Sequence, residues 1–238
     1  MRPSIRGASP SIRGASRVNL KMKPIIIPTI FVRKSETLEA RLEQYEGIVD
    51  RVQLDVADEA FTSEPTLSTE KMVSWPTTLD RDVHLMTLEP ADWLEVCAKE
   101  GIKTAIGQIE NMSSQLEFVE EAKALGLKAG LAIDLETDLE ELDWPVAKKA
   151  DQLLVMMVRA GKEGQTLSQE GLKRVRLLRQ KGFEKEICVD GGVNEKTIAV
   201  CVKAGADLLA VGSCLWQAEE VEKQYRRLKE LAGQAQTG

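Results

Sequence analysis

The chain has 238 residues, with 32 Lys and Arg against 38 Asp and Glu, for a formal net charge of −6. Hydrophobic residues at 43% can build a large core, while aromatics at 4% and the acidic balance disfavour base stacking and nucleic-acid coating. The longest near-apolar run, 25–32, falls far short of the about 20 residues a membrane helix needs, so no membrane partner is expected.

In chain order, residues 1–21 come first and carry Arg2, Arg6, Arg13, Arg17 and Lys21 with no acid. This head is therefore +5, and the rest of the chain is −11. Its PSIRGAS unit at 3–9 recurs unchanged at 10–16, which is too few copies for a solenoid. Arg and Ser without acids match a transit peptide in composition, and there is no apolar stretch for a secretory signal. The head is expected to be a disordered basic extension, with Met22-Lys23-Pro24 as an alternative start, ahead of one domain over 22–238.

From residue 24 short apolar runs alternate with amphipathic segments. The runs are IIIPTIF (25–31), RVQLDVAD (51–58), DVHLM (82–86), TAIGQIE (104–110), KAGLAID (128–134), QLLVMMV (152–158), EICVDGG (186–192) and LLAVGS (208–213). Their near-continuous apolar character suits parallel strands buried on both faces. Between them, Ser35 is expected to cap a helix with Leu38, Leu42 and Tyr45 on one face. Pro90 begins the next, and Ser113 or Ser114 opens one ended by Gly126. Ser168 opens another with Leu172, Val175 and Leu178 inward, Asn194 caps the helix before Gly205, and 217–231 forms the last. Eight βα repeats predict an α/β fold, a closed (β/α)₈ TIM barrel. An open doubly wound sheet would want a Gly-rich first βα turn, and none follows the first strand.

A barrel places function at the C-terminal ends of its strands. The polar residues there are Thr29, Gln53, Asp55, Asp58, His84, Gln108, Glu110, Asp134, Arg159, Asp190 and Ser213. Burying carboxylates is costly unless they are paired, metal-bound or used. His84 is the chain's single histidine, a residue that alone is more often structural than a ligand. Asp55 and Asp190 on two other strand ends change that reading. Two carboxylates and an imidazole, with Gln53 nearby, suit either a divalent cation or an acid/base pair flanking a substrate carbon. The Asp190-Gly191-Gly192 turn and Gly212-Ser213 follow the seventh and eighth strands, where barrels often bind phosphate through backbone N–H groups. The segment 161–165 could close over such a phosphate, with Arg159 and Lys162 as sources of positive charge. Four cysteines, at 97, 188, 201 and 214, show no ligand spacing and read as core thiols in a reducing cytoplasm.

The motifs VQLDVAD at 52–58, DVHLM-x-x-EP at 82–90, EGQ at 163–165, VDGGVN at 189–194 and VGS at 211–213 together resemble the ribulose-phosphate 3-epimerase family over residues 24–216. The resemblance implies a barrel of the ribulose-phosphate-binding type. It also implies interconversion of D-ribulose 5-phosphate and D-xylulose 5-phosphate, or a close ketose phosphate, by a two-Asp 1,1-proton transfer. It assigns the proton transfers to Asp55 and Asp190. It assigns a divalent metal (Zn, Fe, Mn or Co) to Asp55, His84, Asp190 and Gln53, and substrate or phosphate contacts to Thr29, Met86, Gly161, Gly164, Gln165, Gly191, Gly192, Gly212 and Ser213. The expected partner is a small sugar phosphate, and a homo-oligomer is compatible with the sequence. Departures from the pattern are Gln53 in place of a metal-binding His, Thr29 for Ser, Ala57 for Met, and Glu163 for Gly in the loop after the sixth strand. They keep a second reading open, a diverged paralogue that binds a phosphorylated ligand without turnover. Decarboxylase or aldolase chemistry would want Asp-x-Lys after a strand, and Asp55-Val56-Ala57 lacks the lysine.

Overall fold

The computed structural model of the chain describes residues 23–160 and 165–237, so the basic head and its repeat lie outside the described residues. Eight parallel strands run in order around a closed barrel: β1 (Ile25–Ile30), β2 (Arg51–Ala57), β3 (Asp80–Met86), β4 (Thr104–Gln108), β5 (Lys128–Ile133), β6 (Gln152–Met156), β7 (Glu186–Asp190) and β8 (Leu208–Val211). Closure comes from β1 pairing with β8, Ile25 opposite Leu208 through Pro28 opposite Val211. That seam excludes the open sheet. The helices are α1 (Ser35–Tyr45), α2 (Thr69–Val73), α3 (Leu94–Lys99), α4 (Gln115–Ala124), α5 (Trp144–Ala147), α6 (Gln169–Gln180), α7 (Ile198–Ala204), α8 (Ser213–Trp216) and α9 (Val221–Thr237).

The period of two along each strand sorts residues between two cores. Ile26, Val52, Leu54, Val83, Leu85 and Val189 face outward and pack with helix residues such as Leu38, Leu42, Leu172 and Val175. Ile27, Ile106, Leu154, Cys188, Leu208 and Ala210 fill the barrel itself. The same alternation turns Gln53 and Asp55 inward from β2, His84 and Met86 from β3, and Asp190 from β7. At the N-terminal end, Arg51 donates from Nε to Asp82 Oδ2 at 2.6 Å and from Nη2 to Thr104 Oγ1 at 3.2 Å. Burial pushes the Asp82 carboxyl up, and Arg51 pulls against that shift. The lower end is thus filled by a paired charge, and the open mouth is at the other end.

Three helix starts differ from expectation. Ser35 is the first residue of α1 rather than its cap, and Lys34 precedes it with no side-chain cap bond. Thr197 occupies the N-cap of α7. Asn194 instead accepts from the Lys196 N–H through Oδ1, a local turn that delays the helix. The last helix begins at Val221 because the short α8 intervenes after Gly212, and it runs on to Thr237. Ser114 and Ser168 do cap α4 and α6, accepting from the Glu117 and Glu170 N–H groups. Gly126 and Gly182, at φ 82° and 86°, follow those helices as stops. All four cysteines are free thiols, three of them buried, and among the described residues no helix is long and apolar enough to cross a membrane.

Candidate active site

The register brings the polar strand ends together. Asp55 lies opposite His84 on the neighbouring strand, while Asp190 reaches them from across the barrel. Gln53 joins the two sides. Its Nε2 donates to Asp55 Oδ1 at 2.8 Å and to Asp190 Oδ2 at 2.6 Å. Gln53 and His84 are fully buried, and Asp55 and Asp190 are nearly so. His84 Nε2 sits 2.7 Å from Gln108 Oε1, and its Nδ1 lies 3.5 Å from Asp55 Oδ1 without a hydrogen bond. Gln53 Oε1 is also buried with no partner.

The electrostatics follow from crowding like charges in a dry place. Burial, then the charge of Asp55, raises the Asp190 carboxyl from 3.8 to about 7. Burial works to lower the His84 pKa, but the proximity and charge of Asp55 and the charge of Asp190 outweigh it, and the net shift is upward. Near neutrality, then, protons are shared among groups that face one another. Asp55, His84 and Asp190 each offer a ligand atom within 4.8 Å of the others. Two carboxylates and a buried imidazole nitrogen without a hydrogen bond are a donor set that fits a divalent cation.

A cavity of about 420 Å³ opens above these groups, lined among others by Thr29, Asp55, His84, Met86, Gln165 and Asp190. Gly191, Gly192, Gly212 and Ser213 form another part of its wall, so the sequence-derived phosphate turns and the carboxylates share one space. Gly191 and Gly192 hold φ of 105° and 68°, a region that L side chains rarely adopt. A methyl group at Gly191 would collide with the Val158 side chain, and one at Gly192 would come within 2.5 Å of the Leu167 backbone nitrogen. Gly161, Lys162, Glu163 and Gly164 lie outside the described residues.

Several strand-end polar residues serve the scaffold instead. The Asp134 carboxylate accepts from the Ala160 N–H at 3.2 Å, and Asp58 Oδ2 accepts from the Leu88 N–H at 2.7 Å. Arg159 is exposed, lies 3.8 Å from Glu136 and is not part of the described cavity wall. The described wall therefore holds two carboxylates and no lysine or arginine. Phe31, Met156, Val158, Asn194 and Gln217 also line the cavity, and the sequence does not mark them as site residues. The inward parity of the first and sixth strands marks Phe31, Met156 and Val158 alike as inward-facing, as it does Ile27 and Leu154. Gln108 was visible as a strand-end polar residue, but its role in orienting His84 needed the fold.

A family model described as the Ribulose-phosphate 3 epimerase family matches residues 21–216. The ribulose-phosphate 3-epimerase of Aquifex aeolicus is 31% identical over 191 residues, covering 78% of this chain and 86% of the relative. That of Eremothecium gossypii is 29% identical over 213 residues, covering 84% and 89%. The ribulose-phosphate 3-epimerase named as the cytoplasmic isoform of Oryza sativa subsp. japonica is 32% identical over 177 residues, covering 72% and 77%. Among solved structures, the 3-hexulose-6-phosphate synthase of Salmonella typhimurium superposes with a TM-score of 0.67 at 14% identity, over 90% of this chain and 100% of that one. KGPDC from Streptococcus mutans superposes with a TM-score of 0.66 at 11% identity, over 90% and 99%. At such identities these two structures speak to the fold alone.

Proposed function

The chain belongs to the ribulose-phosphate 3-epimerase family and is an isomerase, and from that premise we propose that it interconverts D-ribulose 5-phosphate and D-xylulose 5-phosphate. The observation that carries this reading is the pair of inward carboxylates, Asp55 and Asp190, meeting at the floor of a cavity whose wall includes glycine turns. One carboxylate takes the proton from C3 and the other returns a proton to the opposite face, which inverts the centre through an enediolate. Asp190, held near 7, is suited to both giving and taking that proton at neutral pH. Gln108 holds the ring of His84, and Thr29 and Met86 line the space for the sugar. Gly191, Gly192, Gly212 and Ser213 let backbone approach the phosphate closely, with Gln165 on the same wall. A divalent cation (Zn, Fe, Mn or Co) held by Asp55, His84, Asp190 and the Gln53 oxygen would polarise the ketose carbonyl. The free thiols fit a reducing compartment, and we place the enzyme in the cytoplasm.

Incubation with ribulose 5-phosphate in D₂O, with Mn²⁺ or Zn²⁺ present, should place solvent deuterium at C3 and yield xylulose 5-phosphate. A substrate recovered without deuterium removes the epimerase reading. The Gln53 bridge favours one competing outcome, because an amide engaging both carboxylates could leave a binder without turnover. Sugar phosphates would then raise the melting temperature with no exchange at C3.

Stabilisation by a cation should grow between about pH 4 and pH 7. A carboxyl or imidazole whose folded pKa is raised contributes stability that is full below its unfolded value and fades as pH rises through the folded one. Asp190 rises from 3.8 to about 7, so the cation-free protein loses this contribution over that window, and the upward shift of His84 adds a loss above its ordinary value. A cation must displace the same protons, so its affinity climbs as they leave. Thermal shifts with and without Mn²⁺ across the window check this, and a shift independent of pH contradicts it.

A further inference from the structure

We propose that the Gln53 amide is the tie that holds Asp55 and Asp190 together in the cation-free enzyme, and that a cation binds there by displacing it. Two carboxylates on β2 and β7 face each other inside the barrel, where burial weakens solvent screening of their repulsion. Something positively polarised must lie between them. The Gln53 nitrogen does, with one hydrogen for each: 2.8 Å to Asp55 and 2.6 Å to Asp190. No other side chain among the described residues is shown bonding both carboxylates.

The rest of the amide shows what the tie leaves unused. Oε1 is buried with no hydrogen-bond partner, although a buried carbonyl oxygen normally has one. Asp55 Oδ1, which accepts from the amide, is also the oxygen nearest His84 Nδ1. A cation gathering both carboxylates and the imidazole therefore competes with the amide for that oxygen. Half a turn about the terminal torsion of Gln53 exchanges its two donors for an acceptor, a broad and low-cost rotation. The orphaned oxygen then becomes available as a fourth ligand. The resulting set has three oxygens and one nitrogen, a harder site than one with a second imidazole, so it holds Zn²⁺ less tightly. The enzyme would keep its carboxylates assembled between metal-loading events and discriminate less sharply among divalent ions.

This inference rests on the cation-assisted reading above, and its test does not depend on turnover. In ¹⁵N-labelled, chelator-treated protein, the Gln53 side-chain NH₂ resonance is assigned by its loss in Gln53→Met. Should that variant not fold, Gln53→His supplies the assignment. Both protons are expected to exchange with solvent at least tenfold more slowly than those of exposed Gln side chains. Saturation with the diamagnetic ions Mg²⁺ or Zn²⁺ is expected to move that resonance. By calorimetry, Gln53→His is expected to bind Zn²⁺ at least tenfold more tightly than the native protein. A Gln53 NH₂ group exchanging as fast as exposed ones overturns the tie. A resonance unmoved by bound ion, an absence of ion binding, or an unchanged Zn²⁺ affinity in Gln53→His overturns the displacement. Deuterium entering C3 alongside any of those failures leaves the epimerase reading standing without this one. A confirmed tie and displacement without deuterium exchange does the reverse.

Discussion

Asp190→Asn should lower the rate of proton exchange at C3 by about 10²–10⁴-fold, the usual worth of a positioned acid or base. The substitution keeps the size of the side chain and its ability to accept from Gln53 Nε2, so the bridge across the barrel can persist. What it removes is a group that titrates near 7 inside the site. The end of the cavity proposed to take the phosphate, lined by Gly191, Gly192, Gly212 and Ser213, should be little affected, leaving KM within about threefold. Asp55→Asn should cause a loss of the same order, because each direction of the reaction needs both groups. The separation of kcat from KM, read with deuterium wash-in, is the check. A loss below tenfold in either variant would take that aspartate out of the proton path. The Asp190→Asn protein should also lose the Asp190 share of the fall in cation-free stability between about pH 4 and pH 7, since the carboxyl that must give up its proton is gone.

Gly192→Ala should destabilise the protein by about 3 kcal/mol, combining a left-handed φ with overpacking. For a domain of this size that is a fall of roughly 6–12 °C in melting temperature. The residue sits at φ 68°, and an added Cβ would approach the Leu167 backbone nitrogen to 2.5 Å, with Leu167 Cα and Cβ at 3.0 Å. A flexible side chain could move aside, but a backbone atom ahead of α6 cannot do so without shifting the chain between β6 and that helix. The turn after β7 would therefore be displaced from the cavity wall, and KM for a sugar phosphate should rise about tenfold. Calorimetry and steady-state kinetics check the two effects. A Gly192→Ala protein with native melting temperature and native KM would show that this turn neither needs glycine nor holds the phosphate.

Much of the arrangement is legible in the sequence. Eight apolar runs with helical segments between them are a long-range pattern built from local rules, and each run became a strand. Helix stops at Gly126 and Gly182 were equally visible, because a left-handed terminal residue is a local demand. Sequence and structure part where a local signal has two outlets. Asn194 can cap a helix or close a turn on itself, and it does the latter because Thr197 Oγ1 takes the Asn194 N–H and donates to the Gly192 carbonyl. Arg159, a candidate source of positive charge near the mouth, pairs with Glu136 at the surface.

By itself, the sequence determined the eight βα repeats of a barrel and the residue types at its mouth, because apolar runs and amphipathic helical segments act over a few residues. It named Asp55, His84 and Asp190 as candidates and marked Gln53 as the unusual neighbour. Only the tertiary structure decided that Gln53 reaches Asp190, 137 residues away in the chain, at 2.6 Å. That contact exists because β1 and β8 close the ring and bring β2 and β7 toward a shared axis. No local pattern encodes a distance across a closed barrel. The amide bridge and the raised carboxyl of Asp190 both follow from that closure.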